Sequence, residues 1–306
     1  MQCGRFLKQT QAMAEVGCNR CHEVERSCAT CHSNHGTERR LPRDPAVCSK
    51  CHMGPDHPQW EMWQTSRHGM LHATLGKGRG ATCQDCHLPD GGHDVSRGLT
   101  MSATGQLHAK ARFVWEREHM LKVCARCHAR AFAARELARA DQVREQSVAL
   151  VRQAEQVIRE VARRGKLDPM PGRRPPHPQR GHALVLDGQM LYEDTSHLER
   201  LFFKMKLFDL AKTVKGAFHQ NPAYAHWYGN AELKLTLVDI RAEAARLLAR
   251  PAAAAPAKGS SGAALTPAET LEDALRELKE RADRGELSPD AYRAAKAQLL
   301  RRFVGR

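Results

Sequence analysis

The stretch CSKCHMGPDHPQWEMWQTSRH, residues 48–68, decides the fold. It opens with Cys48-x-x-Cys51-His52, the signature of covalent c-type haem attachment. It runs into an adjacent acid and imidazole, Asp56 and His57, set between Pro55 and Pro58, and closes on His68. A site for iron and a site for moving protons therefore share one short segment.

Reading outward, the motif recurs at Cys18-x-x-Cys21-His22, Cys28-x-x-Cys31-His32, Cys83-x-x-Cys86-His87 and Cys124-x-x-Cys127-His128. The five copies use ten of the eleven cysteines and leave only Cys3 alone. In such a motif the two thiols add to the haem vinyl groups as thioethers, and the next residue brings its imidazole beneath the iron. Zinc sites and redox C-x-x-C pairs are the competing reading. Neither needs a histidine directly after the second cysteine in every copy. Five covalently attached haem c groups are the expected cofactors. Aromatic residues make up only 5% of the chain, thin for a core of this size, and the apolar haem faces supply what is missing.

The net charge of +14 is a strong basic excess. Such an excess usually suggests nucleic acid or an acidic membrane surface. Here it is assigned to haem propionates, for which arginine is the natural partner, and no nucleic-acid partner is expected. No apolar run is long enough to span a bilayer. The N-terminal MQCGRFLKQ has neither an apolar leader core nor a cleavage site. Thioether attachment nevertheless takes place outside the cytoplasmic membrane, so a periplasmic or extracytoplasmic location is expected.

Low-spin electron-transfer haems need a second axial ligand, usually histidine. Of 17 histidines, 17 − 5 = 12 lie outside the motifs. Those close to motifs are His35, His68, His72, His93, His108 and His119, and an ordinary hydrogen-bonding role competes at each. Asp56-His57 also has a plainer reading, as a proline-flanked turn with an Asx cap.

The expected fold is mainly α: haem-wrapped loops and short helices, then a long-helix bundle, then a helical hairpin. Val143, Leu150, Ala154, Val157 and Val161 fall at helical steps and predict one helix from about Ala129 to Arg164, stopped by Gly165. A proline-rich crossover, residues 168–182, follows. A second helix is expected from His197 to Lys215, with Ser196 and Glu199 as capping box and Gly216 as its end. A third is expected from Ala231 to Arg250, capped by Asn230 and stopped by Pro251. The aromatic segment YAHWYG, residues 224–229, is read as a loop between them, either a packing plug or a loop reaching an active site. The domains are thus 1–128 (pentahaem region), 129–250 (long-helix bundle), 251–265 (flexible linker) and 266–306 (hairpin). The last rests on LRELKERADRGELSPDAYRAAKAQLL, residues 275–300, which resembles the SHOCT module. That resemblance implies self-association or docking and no catalysis.

Residues 48–69 resemble the segment that marks octahaem cytochromes of the hydroxylamine oxidoreductase family. HSNH at 32–35, GHDVSRG at 92–98, MLKVCARCH at 120–128 and YAHWYG at 224–229 follow the family order. The resemblance spans residues 18–250. It implies an oxidoreductase acting on hydroxylamine or nitrite, with three further haem segments and a leader upstream of Met1. It makes His22 the proximal ligand of the catalytic haem, with Asp56 and His57 as its distal acid–base pair. The other haems become bis-histidine wires, with His35, His68, His93 and His226 as expected distal ligands. Tyr224, then Tyr228, is the candidate for a tyrosine that cross-links the catalytic haem of a neighbouring subunit in oxidative members. A homo-oligomer, a trimer by family resemblance, and a redox partner that is a cytochrome or quinol-linked protein are further implications. The competing function is a non-catalytic electron-transfer cytochrome.

Overall fold

A computed structural model describes residues 28–36, 38–76, 78–102, 105–177, 180–186 and 195–250, with scattered positions between 275 and 297. Cys3, the first motif (Cys18, Cys21 and His22) and the linker 251–265 lie outside the described residues. The chain divides into two compact units, Met1–Pro251 and Ala252–Arg306.

The haem-motif region is built of short pieces, as its prolines and glycines predict. They are α1 (Ala46–Ser49), α2 (Gln59–Gln64), α3 (Arg67–Leu75) and α4 (Cys83–His87). Single polar side chains pin them together. Trp63 Nε1 donates to the Ala81 carbonyl at 2.8 Å, and Gln84 Nε2 donates to the Pro42 carbonyl at 2.6 Å. Buried Glu116 accepts the Gly98 amide at 2.7 Å, from the longer helix α5 (Lys110–Cys124).

The long helix α6 runs from Arg130 to Arg163, one residue inside each expected bound. Gly165 follows it at φ +66°, the left-handed conformation expected of a C′ residue. Its buried stripe is Ala133, Leu137, Ala140, Ser147, Val151, Ala154, Ile158 and Val161, spaced by threes and fours. Leu150 and Val157 sit at the edge of that stripe, only partly buried. Ala154 and Val161, also expected on that face, lie at its fully buried centre.

The second helix is longer than expected. It comprises α7 (His197–Lys204), a π-helical segment (Met205–Asp209) and α8 (Leu210–Phe218). The Ser196–Glu199 capping box forms as expected, and buried Arg174 holds the same carboxylate through two contacts of 2.9 Å. Gly216 does not end this helix. It lies inside α8, where a Cβ would meet the Ala225 backbone at 3.1 Å. The glycine serves close packing, not a chain reversal.

The third helix starts earlier than expected, and the aromatic segment is not a loop. Asn221 is the N-cap, its side chain accepting the Tyr224 amide at 3.0 Å. Pro222–Tyr224 continues through a π-helical segment, Ala225–Asn230, into α9 (Ala231–Ala249). Asn230 is therefore an interior residue with helical φ and ψ and makes no side-chain cap.

These helices bury one core. Ile158, Val161, Leu198, Phe202, Met205, Leu233 and Ile240 are all at or near zero exposure. The Asn221 amide ties this bundle to the haem-motif region, donating to the Met62 carbonyl at 2.9 Å and to Thr65 Oγ1 at 2.8 Å. In the C-terminal unit, Ser288 Oγ accepts the Ala291 amide at 3.2 Å.

Gly229 faces a tight helix crossing, where a Cβ would lie 2.4 Å from the Thr213 backbone nitrogen. Gly229→Ala should destabilise the folded chain by about 1–3 kcal/mol in chemical denaturation, because the backbones must separate. Gly172→Ala, where a Cβ meets nothing within 4 Å, should stay within about 0.5 kcal/mol of the parent.

Candidate haem-binding and redox site

The four described motifs fold into one local shape. In each, the chain makes a single helical turn from the first cysteine to the histidine. The histidine amide donates to the first cysteine carbonyl at 2.8 Å in Cys28–His32, 2.9 Å in Cys48–His52 and 3.0 Å in Cys124–His128. The fourth copy, Cys83–His87, is helix α4 itself, closed at its N-terminus by the Thr82–Asp85 capping box. Such a turn brings two thiols and the following imidazole towards one side of the chain. The eight cysteines, Cys28, Cys31, Cys48, Cys51, Cys83, Cys86, Cys124 and Cys127, form no disulfide.

Three motif imidazoles each face one imidazole from far along the chain. His32 lies opposite His93 with ring centroids 6.3 Å apart, His128 opposite His68 at 6.0 Å, and His87 opposite His219 at 6.3 Å. Direct ring stacking would bring the centroids closer. Two imidazoles bound to opposite sides of one metal, with bonds of about 2.0 Å, have centroids about 6 Å apart. The residues present fit bis-histidine haem. Buried imidazole nitrogens without a hydrogen-bond partner, His72 Nδ1 and His119 Nε2, suit the same environment.

His68 and His93 thus stand where distal ligands are expected. His35 and His226 are exposed, and His226 packs on Trp227 with ring centroids 4.7 Å apart. No described motif imidazole stacks on either of them. His219 is the partner that sequence reasoning missed. It lies 219 − 128 = 91 residues beyond the last motif histidine, outside a search confined to the motifs' neighbourhood.

His52 has a different setting. Its ring is near Gln59, His57 and Lys215, and it stacks on no described histidine ring. Beside it, His57 Nδ1 lies 3.0 Å from Asp56 Oδ2, with both side chains about two-fifths exposed, at 43% and 40%. Tyr224 is buried against Tyr228, ring centroids 5.0 Å apart, whereas Tyr228 is 61% exposed. Burial, then the nearby Glu61 and Tyr228, push the Tyr224 hydroxyl up to about 12.

Comparison with known proteins agrees with this geometry. The family described as "Seven times multi-haem cytochrome CxxCH" matches residues 6–175. The chain belongs to the multihaem cytochrome c family. Its cofactor is covalently bound haem c. A second family, the short C-terminal domain SHOCT, matches residues 273–300. A protein of Kuenenia stuttgartiensis named as a probable nitrite reductase–hydroxylamine oxidoreductase fusion is 23% identical over 79% of this chain and 38% of its own length. The structure of a reducing hydroxylamine oxidoreductase-like complex from the same organism matches with a TM-score of 0.66 at 23% identity. That match covers 77% of this chain and 62% of the other. A hypothetical multihaem protein matches with a TM-score of 0.53 at 16% identity, over 72% of this chain and 59% of that one. The cytochrome thus spans 38% of the length of that curated relative and shares the fold of the two structures.

Burial favours the neutral, ligating form at four of these imidazoles, His52, His68, His87 and His219. Burial lowers His68 and His219 below the usual imidazole range and takes His87 down to about 4. His52 is lowered by burial first, then by His57 and Lys215. The His219 ring is further oriented by a 2.7 Å contact between its Nδ1 and the Lys215 carbonyl, which leaves Nε2 as the nitrogen not engaged by that carbonyl. In the holo-cytochrome, His219→Ala should therefore abolish one low-spin bis-imidazole signal in electron paramagnetic resonance. Haem content by the pyridine haemochrome assay should stay unchanged, because Cys83 and Cys86 still hold that haem.

Proposed function

We propose that this cytochrome is a hydroxylamine oxidoreductase-like enzyme that converts hydroxylamine or nitrite at the haem held by Cys18, Cys21 and His22. Asp56 and His57 handle the protons. The haems of His32, His87 and His128 carry electrons, with His93, His219 and His68 as their distal ligands. The observation that carries this reading is the Asp56–His57 contact at 3.0 Å, kept accessible on a turn between Pro55 and Pro58. The paired wire imidazoles, by contrast, are engaged in their facing arrangement. The Kuenenia relative's name, a nitrite reductase–hydroxylamine oxidoreductase fusion, supports the substrate class.

An open haem iron, when bound, supplies a vacant position for the substrate nitrogen and an exit for electrons. The rest falls to the chain. Interconverting nitrogen oxides and hydroxylamine moves protons together with electrons. His57 Nδ1 faces Asp56 Oδ2 at 3.0 Å, and in this reading Nε2 is the atom that exchanges the proton. Asp56 fixes the tautomer and stabilises the imidazolium that forms when Nε2 takes a proton. In the opposite direction the same imidazolium gives its proton back.

Several coarser features follow the same reading. Thioether attachment places the protein outside the cytoplasm, and among the described residues no helix is long and apolar enough to cross a membrane. The domains are a pentahaem region at 1–128, a bundle at 129–250, a linker at 251–265 and a hairpin at 266–306. The hairpin promotes self-association into a homo-oligomer. Tyr228, 61% exposed, is better placed than buried Tyr224 to reach a second copy. A purely electron-carrying role is the rival, favoured by the three facing pairs.

Two measurements separate these roles. The enzyme should show a high-spin ferric signal that responds to nitrite or hydroxylamine, and a wholly low-spin spectrum overturns it. Asp56→Asn and His57→Ala should each lower kcat by about 10²–10⁴-fold with haem content unchanged. Unchanged turnover in both variants contradicts the assignment.

A further inference from the structure

Two lysines on the α7–α8 helix have opposite surroundings. Lys204 is saturated: its ammonium donates to Asp209 Oδ2 at 2.9 Å, Glu232 Oε2 at 3.2 Å and Thr236 Oγ1 at 3.0 Å. Lys215, three turns on, forms no ion pair with any described carboxylate. Its side chain is half-buried and points at the Asp56–His57 turn. Gln59 bridges the two. With its amide oriented to satisfy both ends, Nε2 donates to the His57 carbonyl at 2.6 Å and Oε1 accepts from Lys215 Nζ at 3.3 Å. The groups near this ammonium are Gln59 on α2, Asp56 on the turn, His52 on its motif turn and His219 on its own helix. Asp56 is near enough to act on the ammonium electrostatically and too far to form an ion pair with it. Burial draws the Lys215 ammonium below the usual lysine range and Asp56 opposes that, so the amine at this site has no ion-pair partner among the described carboxylates.

A lone carboxylate at a reaction site repels an anion, and charge interactions strengthen where water is partly excluded. An ammonium beside that carboxylate offsets the repulsion and offers a donor to an oxyanion. We propose that Lys215 is a substrate-positioning residue that gives the Asp56–His57 site its preference for an anionic nitrogen oxide, nitrite, over uncharged hydroxylamine. This rests on the reading of that pair as the acid–base groups of an open haem. Lys215 precedes His219 by one turn of α8, so one helix both sets the substrate charge preference and ligates a wire haem.

The test titrates the matured full chain with nitrite and, separately, with hydroxylamine, following the high-spin iron optically. Lys215→Gln should weaken nitrite about tenfold or more and leave hydroxylamine within about twofold. Lys215→Arg, which keeps the charge, should retain most of the nitrite affinity. Equal loss for both ligands marks a structural lesion and overturns the proposal, as does unchanged nitrite affinity in Lys215→Gln. A parent protein with no iron responsive to either ligand overturns the underlying reading of the site instead, and the proposal with it.

Discussion

The constraint on which the proposed reading depends is the facing of two imidazoles at the separation that one iron would need. A C-x-x-C-H turn delivers the first imidazole from within five residues. The second must come from elsewhere in the fold and arrive about 6 Å away. Here the partners are separated by 93 − 32 = 61, 128 − 68 = 60 and 219 − 87 = 132 residues, yet their ring centroids lie 6.3, 6.0 and 6.3 Å apart. Everything else in the first unit serves that meeting. Short helices keep the motif region pliable enough to wrap a flat cofactor, and a packed bundle carries His219 to its place. Asn221 then fixes the bundle to α2 through the Met62 carbonyl and Thr65.

In the proposed reading, one helix of the bundle links wiring to proton handling. Lys215 and His219 are one turn apart on α8, and the Lys215 carbonyl meets the His219 ring at 2.7 Å. The crossing that positions α8 needs small residues: Gly216 admits the Ala225 backbone, and Gly229 admits Thr213. π-helical segments at Met205–Asp209 and Ala225–Asn230 flank this crossing. A π turn inserts a residue and shifts the face that follows it, which re-aims side chains without breaking the helix.

The attachment motifs were fully legible in the sequence, because thioether chemistry dictates their spacing. So was helix α6, through its length and period, and the Ser196–Glu199 cap, through its residue types. The distal side was only partly legible. His68 and His93 lie near motifs and were visible as candidates. His219 was not, because distal ligation is set by tertiary packing rather than by local sequence. The glycine at 216 misled for the same reason: a helix stop and a close helix crossing call for the same residue. YAHWYG read as a loop because π-helical turns have no residue signature comparable to a cap. The acid–base pair was readable as neighbours in sequence, but Lys215 joins it only through folding.

The most direct test of the account is an anomalous-scattering map, at the iron edge, from a crystal of the matured chain. The account predicts iron midway between the rings of His32 and His93, of His87 and His219, and of His68 and His128. Iron bound to other distal ligands, or absent from the spaces between these pairs, would contradict it.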